Sequence, residues 1–352
     1  MLVVITIIGI LAGLVTGVAI AVRVMGRQAV VTSEIGQIDM ALKQYKSKVG
    51  EYPPDGASTG IAVAGFNDDA NNNGIPDSFE RHFARRFPRA DLIEELHLLG
   101  YPRNNANARR TLFANYSPVT ALVFWMGGMP EPDQPIPTPP TPPTFNNSKS
   151  RLIGFSQNPV NPLTDFTSQR EKAYFDFDSS RLAGNTNQFF RSCSPSGLPE
   201  VEPWASTLPA FTYPHVPAYV YFRAEAKRGF EYFYDAGNAG PTRLKCYPPY
   251  NYNQPNGNPN LVRPYWDEQS KGWINPEGFQ ILFGGFDGKF GASNIMKSRQ
   301  LPPDADYPYY ADWKKRKILL GDPDPSSGAQ NANDGLDDQS NFVKGTMKAE
   351  IQ

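Results

Sequence analysis

The chain has 352 residues, 40% of them hydrophobic, and a formal net charge of −1; it is long enough to bury the core of one large or two modest domains, which excludes a mere peptide anchor. The basic runs at Arg85–Arg86, Arg109–Arg110 and Lys314–Lys317 lie far apart in a nearly neutral chain, which argues against a nucleic-acid partner. The last run is either a solvated face or a contact for phosphate or lipid.

Met1 to Val22 carries no charged residue. At about 1.5 Å per helical residue it matches the roughly 30 Å hydrocarbon core of a bilayer, so a membrane helix is expected. A cleaved secretory signal would need a basic region in front, and none is present ahead of the apolar run. Gly9, Gly13 and Gly17 recur at every fourth residue, forming a stripe that suits close helix-to-helix packing or simply reflects glycine tolerance in a membrane span. Arg23 and Arg27 follow the run and by themselves would hold that end in the cytoplasm. Further on, Ile35, Ile38, Leu42, Tyr45 and Val49 fall at spacings of three and four, and Gly50, Pro53 and Pro54 close the pattern. One continuous helix of roughly 75 Å is predicted, apolar on all sides in residues 1–22 and amphipathic in residues 23–52.

The stretch "LVVITIIGILAGL", its amphipathic continuation and "YKSKVGEYPPD" resemble the start of type IV pilins and of type II secretion pseudopilins, the major pseudopilin above all. In that family a short basic leader ends in glycine, a prepilin peptidase cuts ahead of a phenylalanine that is then methylated, and a glutamate follows before the apolar run. Here the run begins at Met1, so Met1 is expected to lie inside the motif. The resemblance implies an α+β fold with a long N-terminal helix on an antiparallel sheet. It also implies a single pass of the cytoplasmic membrane with the C-terminal part outside, and partnership with other pilin-like subunits.

Residues 53–276 form a large loop-rich insertion relative to the small members of that family. It opens on "GASTG", Gly56 to Gly60, which fits G-x-S-x-G on paper. Ser58 nevertheless lacks the preceding strand and following helix that a nucleophile elbow needs. "DANNNGIPDSFE", Asp69 to Glu80, fits the EF-hand loop pattern at every specified position. A hard cation takes about six to eight oxygens. The pattern supplies them from the side chains of Asp69, Asn71 and Asn73, the carbonyl of Ile75, Asp77 directly or through water, and a bidentate Glu80, while Gly74 makes the turn. The modest charge suits a weak extracellular Ca2+ site; the alternative is an Asn/Asp/Gly turn that binds nothing. The following residues predict an exiting helix with Phe79, Phe83 and Phe87 on one face.

Residues 112–128 form an apolar block suited to a buried helix or strand, and Pro130 to Thr144 a polyproline-rich loop. "KAYFDFDSSRL", "AYVYFRA" and "FEYFYDA" predict strands, the last two as a hairpin across "EAKRG". Cys193 and Cys246 can form at most one disulfide, expected if this part lies outside the cytoplasm. Proline (34 residues) and aromatics (12%) suit such a loop-rich, sheet-containing domain.

In residues 277–352, "PEGFQILFGGFDGKFG" and "GAQNANDGLDDQSNF" resemble the last sheet and calcium loop of the major pseudopilin. The resemblance puts Asp287, Asp337 and Asp338 on a second calcium site. Independently, residues 322–338 are acidic and oxygen-rich, suiting either a cation loop or a solvated one. His82, His97 and His215 have no metal-ligand spacing, and no HExxH, P-loop or CxxC occurs. The sequence therefore reads as a non-catalytic structural subunit, or alternatively as a membrane-anchored, calcium-dependent binding protein.

Overall fold

The structure is a computed structural model. It describes residues 2–56, 69–113, 116, 118–132, 143, 151–178, 182–183, 192–193, 219–224, 232–235, 241–244, 250–253, 259–262, 264–267, 272–283, 311–312, 339–341 and 343–346. Five helices are described: α1 (Leu2–Val49), α2 (Asp77–Arg86), α3 (Leu92–Leu98), α4 (Ala106–Phe113) and α5 (Thr120–Gly127). The strands are β1 (Leu182–Ala183), β2 (Ser192–Cys193), β3 (Val220–Arg223), β4 (Tyr232–Asp235), β5 (Pro241–Leu244), β6 (Tyr250–Asn253), β7 (Pro259–Val262), β8 (Tyr265–Asp267), β9 (Gly272–Trp273), β10 (Phe279–Phe283), β11 (Ala311–Asp312), β12 (Gln339–Ser340) and β13 (Val343–Thr346). The class is α+β.

Helix α1 ends where the sequence predicts. Gly50 takes φ +94°, a conformation that a Cβ disfavours, and its N–H closes the last turn on the Lys46 carbonyl at 2.8 Å. Lys46 and Lys48 in that turn face the negative end of the helix dipole. Ile35, Ile38, Leu42 and Tyr45 are buried, joined by Val31 and Ala41. Each large side chain in that stripe contributes about 1.5–3 kcal/mol on burial. By contrast Val3, Val4, Ile5, Ile7 and Ile8 are each more than half exposed, from 52% to 70%. Among the described residues no helix is long and apolar enough to cross a membrane. Since the side chains of residues 10–21 lie outside that set, the membrane reading of Met1–Val22 rests on the sequence.

The main sheet runs β13–β12–β10–β3, antiparallel throughout. Tyr219, Tyr221, Phe279, Ile281 and Phe283 alternate along β3 and β10 onto one face, where they join the core that includes the buried stripe of α1. Val220, Phe222, Gln280 and Leu282 on the other face are also buried. Polar ties fix α1 against the sheet: the Tyr219 hydroxyl donates to Glu34, and Asn341 donates to Asp39 at 3.2 Å. The Pro53 and Pro54 carbonyls accept from the Tyr221 and Tyr116 hydroxyls at 2.8 and 2.5 Å, so the chain leaving α1 is pinned to the same core.

Two strand expectations are corrected. "AYVYFRA" and "FEYFYDA" do not form a hairpin: β3 pairs with β10, and β4 pairs with β5. All of β10 is buried, so the two most apolar strands pair with each other, while β4 with β5 and β6 with β7 form two-stranded pairs of their own. "KAYFDFDSSRL" is not one strand either. Residues 171–178 are irregular and pack Phe177 and Tyr174 on the core, and among the described residues of this stretch Leu182, in β1, is the extended one. Within the apolar block at 112–128, Leu112 and Phe113 end α4 and Thr120–Gly127 form α5, in which every residue from Ala121 to Gly127 is buried.

Candidate metal centre

Residues 69–80 join the first described residues of the insertion to α2. Two backbone conformations shape the loop: Asn72 at φ 54° and Gly74 at φ 85°. A Cβ on Gly74 would stand 2.2 Å from the Ala106 carbonyl oxygen, so position 74 is closed to side chains by space as well as by φ. Ile75 is fully buried and anchors the loop in the core.

The candidate ligands are tied to one another across this turn. The Asp69 carboxylate accepts from the N–H groups of Asn73 (2.8 Å) and Gly74 (3.0 Å), and Asn73 Oδ1 accepts from Ile75 N–H (2.8 Å). Asp77 Oδ2 accepts from Ala70 N–H (3.1 Å), and Asn73 Nδ2 donates to Glu80 Oε1 at 2.7 Å. Asn71 also hydrogen-bonds to Glu80. Burial pushes the Glu80 pKa above its ordinary value and the charges of Asp77 and Asp69 push the same way, against the pull of the Asn73 and Asn71 hydrogen bonds. Asp77 Oδ1 is buried without a hydrogen-bond partner. Asp69, Asn71, Asn73, Asp77 and Glu80 thus share one neighbourhood with an oxygen-rich, incompletely satisfied donor set of the chemistry a hard cation takes. Even so, among the described residues no three His, Cys, Asp or Glu side chains are gathered closely enough to hold an ion.

Sequence reasoning missed the part played by α4. Arg109 is buried and its guanidinium donates to the carbonyls of Asn73 (2.8 Å), Pro102 (2.9 Å) and Arg103 (2.8 Å). Arg110 reaches the other side of the loop, donating to Asp69 Oδ2 at 3.1 Å, to the Asn72 carbonyl at 3.3 Å and to Asn72 Oδ1. The adjacent arginines are visible in the sequence, but only the folded docking of α4 brings them to residues 69–74.

A second cluster of titratable groups joins α1, α2 and the loop after α1. The Tyr45 hydroxyl and His82 Nε2 stand 2.7 Å apart, His82 Nδ1 and Glu51 Oε1 2.7 Å apart, and Arg85 and Arg223 both pair with Glu51 at 3.3 Å. Burial drives the His82 pKa down to about 4, against its hydrogen bond to Glu51. Burial also opposes ionisation of Glu51, but the His82 hydrogen bond and the Arg223 and Arg85 charges prevail and hold it at about 2. Tyr45 is fully buried and His82 nearly so, while Glu51 is partly exposed; the cluster ties α1, α2 and the chain leaving α1 to one another.

Of the other sequence-derived residues, Gly9 lies in α1 with nothing within 4 Å of where a Cβ would point. Gly13 and Gly17 lie in the same helix, with their surroundings outside the described set. Cys193 lies in β2, whereas Cys246, Ser58, Asp287, Asp337 and Asp338 are outside the described residues. No family model matches the chain, and no curated protein or solved structure matches it significantly.

Proposed function

We propose that the chain is a structural, pilin-like subunit of a type II secretion pseudopilus or a type IV pilus-like filament. In this reading it is held in the cytoplasmic membrane by residues 1–22, with its α+β part outside. A prepilin peptidase would process it, and other subunits would pack against its N-terminal helix. The observation that carries the reading is the division of labour along α1: its first described residues are apolar and exposed, whereas further on the stripe of Val31, Ile35, Ile38, Ala41, Leu42 and Tyr45 is buried in the globular core. Exposed apolar surface of that length has no stable place in water and is satisfied by lipid or by neighbouring helices. Replacing Gly13 with Leu is expected to reduce filament yield sharply, because a branched side chain holds a neighbouring backbone away; undiminished yield overturns the packing role.

Within this reading Ca2+ braces the loop at 69–80, through Asp69, Asn71, Asn73, the Ile75 carbonyl, Asp77 and Glu80. It would hold the loop to the first turn of α2, which carries Asp77 and Glu80. Chelation should lower the melting temperature of the globular part by several degrees, as loss of a ligand that binds only the folded state requires; superimposable melting curves with and without chelator remove the calcium claim. Asp287, Asp337 and Asp338 remain candidates for a second site. The alternative is a membrane-anchored binding protein, in which α1 serves only as a tether and the same chain stays monomeric.

A further inference from the structure

The side chain of Arg110 meets the 69–80 loop at its first candidate ligand, Asp69. Its guanidinium contacts Asp69 Oδ2, the residue at the loop's first ligand position, and both oxygens of Asn72 beside it. Asp69 is the carboxylate whose other contacts are the N–H groups of Asn73 and Gly74, so the arginine supplies its only positive charge among the described residues. Arg109, one residue earlier, holds a loop carbonyl but no loop carboxylate. The two arginines therefore act differently: Arg109 fixes the loop to α4, and Arg110 neutralises it.

We propose that Arg110 is a built-in counter-ion that competes with calcium for Asp69 and sets the affinity of the loop. The inference deepens the calcium reading above and rests on it. In the cation-free loop the guanidinium, 3.1 Å from Asp69 Oδ2, offsets part of the negative charge that Asp69, Asp77 and Glu80 bring to the loop. A divalent ion bound at Asp69 sets a second positive charge beside the Arg110 guanidinium, and their repulsion weakens the Arg110–Asp69 pair and the binding of the ion alike. The pair is partly solvent-exposed, with Arg110 42% and Asp69 14% exposed. Such pairs are weak and therefore readily displaced. The device lowers affinity and keeps the loop folded when calcium is scarce.

Three chains test the proposal by calcium titration in a calorimeter and by melting curves with and without chelator: the full chain, Arg110→Gln and Arg110→Lys. Arg110→Gln should bind calcium about two- to fivefold more tightly, as expected for removing a competing partly exposed charge, and should melt below the parent chain in chelator. With saturating calcium the two melting temperatures should converge. Arg110→Lys keeps the charge without the forked geometry and should fall between them. If the parent chain binds calcium and Arg110→Gln binds it no more tightly, the counter-ion role is overturned while the calcium site stands. If neither chain binds calcium, the site itself is disproved and the inference goes with it.

Discussion

Single residues set the behaviour of both polar clusters. The His82 pKa lies at about 4 in the folded chain against 6.5 for the free side chain, and that of Glu51 at about 2 against 4.5. Both are depressed, so in both cases the unfolded chain binds protons first as the solution is acidified. Their contributions are complete above about pH 6.5 and are lost as pH falls, His82 between about 6.5 and 4 and Glu51 between about 4.5 and 2. Tyr45, Arg85, Arg86 and Arg223 surround the pair. Melting temperature should therefore decline from about pH 6.5 downward, and His82→Gln should flatten the first part of that decline. A curve of unchanged shape in the variant would assign the acid sensitivity to other groups. At Gly74 the requirement is steric: Gly74→Ala forces a Cβ into the Ala106 carbonyl at a positive φ and should cost about 2 kcal/mol or more in urea denaturation.

Helix α1 and the sheet it covers show how far sequence patterns reach. The buried stripe of Ile35, Ile38, Leu42 and Tyr45 follows from local periodicity, which needs no knowledge of the rest of the chain. Leu42 is fully buried in that stripe. Leu42→Ala should lower unfolding free energy by about 2–5 kcal/mol, measured on the globular part by chemical denaturation. Tyr45→Phe keeps the ring but strips His82 Nε2 of its partner, a loss of about 1–3 kcal/mol. Asp69, Asn71, Asn73, Asp77 and Glu80 come into one neighbourhood for a related reason: they fall within twelve consecutive residues around a tight turn. The pairing of β3 with β10 was not legible in the sequence, because strands this similar in composition can pair locally or across a long separation, and the choice depends on which faces are buried in the fold. The irregular path of residues 171–178 was misread for the converse reason, as their aromatic residues fill the core without forming a ladder. The roles of Arg109 and Arg110 were hidden because the docking of α4 on the loop is a tertiary event.

For the molecule as a whole, the proposed function gives α1 two duties: its buried stripe joins the globular core, and its apolar first part would meet neighbouring subunits. Thiol cross-linking in membranes of the source cells tests this most directly. Ile7 is exposed on the apolar part of α1, and Val160 is equally exposed on the globular part. With a short bismaleimide, Ile7→Cys should give a ladder of multimers that Gly13→Leu abolishes, whereas Val160→Cys should give the same background as the parent chain with its Cys193 and Cys246. Monomer alone from Ile7→Cys, under conditions where the reagent labels that cysteine, would contradict the account.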